Sequence, residues 1–260
     1  FLAARMIAST GIARMLYSYR GMPAIDMDKL IRVLRRVSEM VCELPHIQAL
    51  DINPLIVDEN GAMAVDARIV VERQQPSRDR YEHMAIHPYP ANLLSRYQLT
   101  DGTDIIIRPI RPEDALIEDD FVRRLSPQAK YFRFMRGMNE LTREMLIRLT
   151  QLDYHRELAL IAVFKERGVE TEVGVARYAM NPDGNSCEFA LVVADDWQRK
   201  GIGTQLMTAL MEAARQRGFR EMEGEIMSSN HHMLGLVRRL GFSLKSHPDD
   251  DSVKVANHVL

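Results

Sequence analysis

The 260-residue chain has only two cysteines, Cys42 and Cys187. Two thiols so far apart form neither a disulfide framework nor a metal-ligand spacing, which suits a reducing compartment; the expected location is cytoplasmic. Charge of one sign is also lacking, since 34 Lys and Arg stand against 36 Asp and Glu, a formal net charge of −2. With no broad basic field to hold a polyanion, nucleic acid is not an expected partner. No apolar run reaches the ~18–20 residues that a membrane helix requires. Arg5 interrupts the opening where a signal peptide would need its apolar stretch, so neither secretion nor membrane attachment is expected. Hydrophobic residues at 46% and charged residues at 27% exclude disorder as the main state. The length favours two domains over a single core.

Residues 1–20 carry apolar side chains at helical spacing and end on Gly21, which suits a left-handed helix stop. Beginning on Phe1 within that pattern, the chain is expected to be the C-terminal part of a longer protein. Asp26 is placed to cap a second helix, in which Leu30, Ile31, Leu34, Val37, Val41 and Leu44 recur at three- and four-residue steps up to Pro45. Two apolar runs, 47–57 and 62–71, joined by Asp58-Glu59-Asn60-Gly61, predict a β-hairpin. The stretch 76–95 has no sustained period and is expected to link a first domain, 1–75, to a second, 96–260.

The second part predicts a hairpin turning at Asp101-Gly102 and three short helices starting near Pro112, Ser126 and Thr142. Strands follow near 158–165, 172–179 and 187–193, then a helix near 202–217, a strand near 221–227 and a helix near 231–240. The order is mixed α/β, of the α+β kind.

The most informative stretch runs from Glu188 through Leu191, Val192 and Val193 to Gln198-Arg199-Lys200-Gly201-Ile202-Gly203-Thr204. It reads as strand, loop and helix. Two glycines one residue apart at a helix start allow a tight turn, so that unpaired first-turn amides converge on an anion with the helix dipole behind them. A pyrophosphate suits that cradle, and Arg199 and Lys200 add positive charge at its rim. No Gly-Lys-Ser or Gly-Lys-Thr follows, and the third small residue of GxGxxG is missing, which argues against ATP and dinucleotides.

Gln198, Gly201 and Gly203 resemble the acetyl-CoA signature of the GNAT acetyltransferase superfamily. Asn230-His231-His232-Met233 and Gly241-Phe242 resemble its later cofactor helix and terminal Gly-Phe. The resemblance covers roughly residues 96–260. It implies a central mixed, mostly antiparallel sheet flanked by helices, with acetyl-CoA as co-substrate. It further implies that main-chain amides near Leu191, Val192 and Val193 meet the pantetheine arm and thioester, that Gln198 to Thr204 hold the pyrophosphate, and that Asn230 touches the pantetheine.

Acetyl transfer to an amine needs a neutral nitrogen. A lysine with pKa ~10.4 lies about 3.4 units from that state at pH 7, a deficit of roughly 4.6 kcal/mol. Glu188, the sole acid between Asp183 and Asp195, occupies the strand position where many family members place a catalytic carboxylate; it is the candidate general base. Its pKa would have to be raised by Phe189 and other apolar neighbours, or a water would have to relay the proton. The position matching the family's usual tyrosine acid is Val237, so the CoA thiol would leave as a thiolate with strand amides supporting the oxyanion. Cys187 alternates to the other face of the strand, so direct attack rather than an acyl-enzyme is expected.

Asp51-Ile52-Asn53-Pro54-Leu55 and Ala64-Val65-Asp66-Ala67-Arg68 resemble the end of the ATP-grasp domain of nucleoside-diphosphate-forming acyl-CoA synthetases, where the matching Asn and Asp bind magnesium. No Gly-rich phosphate loop accompanies Asn53 and Asp66, so the segment reads as a remnant without its nucleotide half, and no metal is expected. The eight histidines form no HExxH and are expected at the surface, and no GxSxG occurs.

A remnant of this kind before a GNAT domain resembles bacterial protein lysine acetyltransferases of the Pat type. That resemblance implies a protein acceptor such as an acyl-CoA synthetase, with self-association left open. The alternatives are a small-molecule amine acetyltransferase on the same fold, a non-catalytic acetyl-CoA sensor and an acyl-CoA ligase subunit.

Overall fold

The computed structural model describes residues 2–17, 21, 23–72, 81, 83–135, 137 and 140–260. The chain divides into two compact units, Phe1–Pro88 and Tyr89–Leu260. Residues 76–80 and 82 of the expected linker lie outside the described residues.

In the first unit, one helix was expected up to Gly21, but two short ones form, α1 (Leu2–Ala8) and α2 (Ala13–Tyr17). The break has a local cause. The Ser9 and Thr10 hydroxyls donate to the carbonyls of Met6 and Ile7, each at 2.7 Å, which competes with continuation of the helix before Gly11. Helix α3 (Met27–Glu43) is capped by Asp26, whose side chain accepts from the Lys29 amide. The predicted hairpin is present as two stacked ladders rather than one. Strand β1 (Ile47–Ile52) pairs with β4 (Ala67–Val71), and β2 (Leu55–Asp58) with β3 (Gly61–Ala64). Pro54 has no amide to offer a ladder, which explains the interruption. Across it, the Asn53 amide donates to the Asp66 carbonyl at 3.1 Å.

The second unit holds an eight-stranded sheet. Its strands are β5 (Ser95–Gln98), β6 (Asp104–Pro109), β7 (Glu157–Glu166), β8 (Val169–Met180), β9 (Ser186–Val193), β10 (Glu221–Met227), β11 (Ser243–Ser246) and β12 (Val253–Val259). They lie in the order β11-β12-β10-β9-β8-β7-β6-β5, and every pairing is antiparallel except β9 with β10. The sequence pattern predicts neither β11 nor β12. A 3₁₀ turn, Pro112–Asp114, precedes α4 (Ala115–Arg124), so that helix starts later than Pro112 suggested. Ser126 caps α5 (Pro127–Phe134) and Thr142 caps α6 (Arg143–Thr150), each by accepting a first-turn amide.

Alternation along the strands splits the core into two layers. Leu158, Leu160, Ala176, Tyr178, Phe189 and Leu191 face α7 (Ile202–Arg217) and α8 (His231–Arg239), where Leu206, Leu210, Leu234 and Val237 complete one cluster. Ala159, Ile161, Val175 and Val192 face the other way and pack with Phe121, Val122 and Ala129 of α4 and α5. Phe121 is wholly buried, a side chain whose burial is worth about 1.5–3 kcal/mol. Glu188 shares the second face, and Cys187 the first.

Among the described residues no helix is long and apolar enough to cross a membrane, and no group of three His, Cys, Asp or Glu side chains could hold a metal ion.

Candidate active site

The β9–β10 pairing lasts for only three residue pairs, Ser186 with Glu221, Cys187 with Met222 and Glu188 with Glu223. Beyond Glu188 the two strands part. From Phe189 to Val193, β9 keeps β8 on one side and, among the described residues, has no strand on the other, while β10 continues with β12. A wedge opens there, continuous with a groove of about 800 Å³.

Amide direction in the wedge follows from the ladder. The Ala194 amide donates to the Val173 carbonyl at 2.9 Å, and alternation then turns the amides of Val193 and Leu191 into the gap and that of Val192 toward β8. The expectation for Val192 is corrected accordingly. Its atoms line the groove, but its N–H is committed to the sheet.

At the far end of the wedge the chain turns through a 3₁₀ segment, Asp195–Trp197, into α7. Asp195 fastens this turn to α5, since its carboxylate accepts from the Ser126 amide at 2.9 Å and hydroxyl at 2.7 Å. The Gln198 side-chain amide donates to the Val193 carbonyl at 3.1 Å, tying the loop to the strand. Arg199 and Gly201 both take positive φ, 64° and 89°. Gly201 is the N-cap of α7 and offers no side-chain acceptor, so the first-turn amides of Ile202, Gly203 and Thr204 are left for an external anion.

Gln198, Arg199, Gly201, Gly203 and Thr204 line the groove. Lys200 and Ile202 do not. The Lys200 ammonium turns to Asp101 at 3.6 Å and lies 4.8 Å from the Trp197 ring centroid, and the Ile202 side chain is in the core. These two residues can reach a ligand through their amides only, which corrects the expectation of a Lys200 side-chain charge at the rim.

The opposite wall is the start of α8. Asn230 caps it, accepting from the Met233 amide at 3.2 Å, and lines the groove beside His231 and His232. Two helix N-termini thus face one cavity, an arrangement that favours anions. The two histidines, expected simply at the surface, are exposed along its rim. Val237, at the position of the family's usual phenol, is wholly buried and points into the core.

Glu188 does not line the groove. It lies at the wedge's closed end and borders a smaller cavity of about 160 Å³ with Glu157, Arg177 and Tyr178. Burial pushes its carboxyl above the usual range, Glu225 and Glu223 on β10 push it further, and Arg133 on α5 opposes them. The direction agrees with the sequence reading, but the apolar neighbour named there is wrong. Phe189 points to the opposite face, into the α7–α8 cluster. Cys187 is buried, and burial raises its thiol to about 12; a thiol held protonated is a poor nucleophile.

One groove residue gave no motif. Arg133 follows the buried Ala129 by four positions, so a helical wheel of α5 sets this charge on the inward face. That placement was the available signal.

Residues 121–242 match the acetyltransferase (GNAT) family and residues 1–71 an ATP-grasp domain. Over 154 residues the chain is 38% identical to Acetyltransferase PA5475 of Pseudomonas aeruginosa, spanning 59% of this chain and 83% of that protein. Over 57 residues it is 46% identical to L-methionine sulfoximine/L-methionine sulfone acetyltransferase of the same species, 22% of this chain and 33% of that protein. The solved GNAT domain of Streptomyces lividans PAT shares 25% identity and a TM-score of 0.61, covering 66% of this chain and all of that domain. The chain belongs to the GNAT acetyltransferase family, and an ATP-grasp fragment precedes its acetyltransferase domain.

Proposed function

We propose that the chain moves the acetyl group of acetyl-CoA to a lysine ε-amine of a protein by direct attack, with Glu188 as general base. The observation that carries this is the wedge, which opens at one end on a groove bounded by two helix N-termini and has the Glu188 carboxylate, on a smaller cavity, at its closed end. The residues fit the co-substrate. First-turn amides of α7 suit its pyrophosphate, and the inward amides of Leu191 and Val193 suit the pantetheine and thioester carbonyl. Acetyl-CoA supplies an activated acyl carbon, and the rest of the chemistry belongs to the chain. Glu188, its carboxyl raised above the usual range, takes a proton from the acceptor ammonium, and the two inward amides offer donors to negative charge on the acyl oxygen.

A protein acceptor is supported by the order of domains, an ATP-grasp fragment before a GNAT domain, and by likeness to the PAT domain. An acyl-CoA synthetase is the acceptor this reading favours. A small-amine acceptor has its own support in the 57-residue match to an enzyme named for methionine sulfoximine and sulfone.

Glu188→Gln is expected to keep acetyl-CoA affinity within about twofold while lowering turnover by roughly 10²-fold or more. Calorimetry and a thiol-release assay read the two quantities. Mass spectrometry of cellular proteins after incubation with labelled acetyl-CoA, run beside a panel of amino acids and amines, decides the acceptor. Label on small amines alone would remove the protein-lysine reading.

A further inference from the structure

The general-acid position is apolar, yet a cation is built into the site from the other side. Arg133 reaches the groove from α5, which packs against β9. The direction of that helix decides which end of the groove the side chain serves. Ser126, at the start of α5, is bonded to Asp195 at the loop end. Seven residues on, at 1.5 Å per residue, Arg133 lies ~10 Å along the helix axis. Glu188 lies about 16 Å before Val193 on β9, and the Arg133 guanidinium and the Glu188 carboxylate each feel the other's charge, so the helix and the strand run in opposite senses from their shared end at Ser126 and Asp195. Arg133 therefore stands toward the Glu188 end, away from the amides that suit a pyrophosphate. Among the described residues no carboxylate lies within ion-pair distance of it, whereas its neighbour Arg177 is matched to Glu118 at 3.2 Å.

We infer that Arg133 is a positioning residue for acetyl transfer, acting as the charge partner of Glu188 across the α5–β9 interface. The inference rests on Glu188 being the base.

Charge balance supplies the reason. The groups around Glu188 are Glu223 and Glu225 from β10, Arg133 from α5, and Glu157 and Arg177 from β7 and β8. Those around Arg133 are Arg177, Glu118 and Glu188. With Arg177 matched to Glu118, Arg133 is, among the described residues, the cation left to balance an ionised Glu188. When the acceptor ammonium gives a proton to Glu188, that balance is lost and Arg133 stands uncompensated. The nitrogen lone pair then forms the N–C bond while electron density moves to the acyl oxygen. As the carbonyl re-forms, the C–S pair leaves on sulfur and the second nitrogen proton passes to the thiolate, giving amide and thiol. The arginine's free charge coincides with negative charge at the acyl end, where a cation in a partly dry site acts most strongly. Burial and Arg177 lower the guanidinium to about 10, still cationic at neutral pH.

The test uses the whole chain carrying Arg133→Met, Arg133→Lys and, separately, Glu188→Gln. Arg133→Met is expected to lower kcat by about tenfold or more, to move the acid limb of the pH–rate profile to higher pH, and to leave acetyl-CoA affinity within about twofold. Titration of the ¹³C-labelled Glu188 carboxyl in the free protein is expected to show the same upward move. Arg133→Lys should restore both in part, and it serves as the test should the methionine variant fold poorly. An unmoved Glu188 titration, or a loss of acetyl-CoA affinity parallel to the loss of rate, overturns the inference while Glu188→Gln still reports the base. Full turnover in Glu188→Gln overturns both.

Discussion

The ring of Phe189 occupies the place where a side chain on Gly224 would stand. A Cβ on Gly224 would come 2.6 Å from ring Cε1, closer than real contacts allow. The two residues sit on neighbouring strands, one step past the last β9–β10 pair, Glu188 with Glu223. The ring is held by Phe242, 5.2 Å away in a T-shaped arrangement, and cannot swing aside cheaply. A bare backbone opposite a large ring thus marks the point at which the strands part. Gly224→Ala is expected to destabilise the fold by about 1–3 kcal/mol and to weaken acetyl-CoA binding, as read by denaturant titration and calorimetry. A variant of wild-type stability and affinity would show that the wedge does not depend on this contact.

The two glycines of the loop should respond differently to alanine. Gly201 has φ 89°, and a Cβ there meets no heavy atom within 4 Å. The cost is conformational alone, about 1–2 kcal/mol, and it falls on the residue that aims the α7 amides. At Gly203 a Cβ would meet Leu236 at 3.4 Å, Leu191 at 3.5 Å and Val193 at 3.7 Å, ordinary contacts in an ordinary helical conformation. Gly201→Ala is expected to weaken acetyl-CoA binding by about tenfold, the equivalent of ~1.4 kcal/mol, and Gly203→Ala by much less. Calorimetric Kd values for the pair check the order, and equal losses would contradict it.

Much of this site could be read from local sequence because its parts are local. The bounds of α7, the helix starts at Ser126 and Thr142, and the Gln198-to-Thr204 turn each depend on residues within a few positions of one another. What escaped depends on distant pairing. Strand β12 enters between β10 and β11, so its place is fixed by β10, not by its own period. The direction of the Val192 amide follows from a bond between Ala194 and Val173. Lys200 adjoins Arg199 in sequence, which points to the rim, and only the fold reveals Asp101 and Trp197 competing for its ammonium. The pressure on Glu188 from Glu223 and Glu225 requires the parallel register of β9 with β10.

Glu172 on β8 is wholly buried, and among the described residues its carboxylate oxygens have no donor to accept from. Burial drives its carboxyl well above the ordinary range, with Glu118 adding to the effect and Arg177 opposing it. The sign follows from linkage. A carboxyl whose folded pKa exceeds its unfolded value lets the folded state bind the proton more tightly, so the gain is complete below the unfolded pKa of about 4.3 and is lost as pH rises through the folded one. Glu172→Gln removes this dependence and keeps the shape. The variant's melting temperature is expected to gain on the wild type as pH rises from about 4.3 toward neutrality. The gap should level off once the wild-type carboxyl ionises in the folded state. Parallel melting curves across that range would mean that Glu172 titrates alike in the folded and unfolded chain.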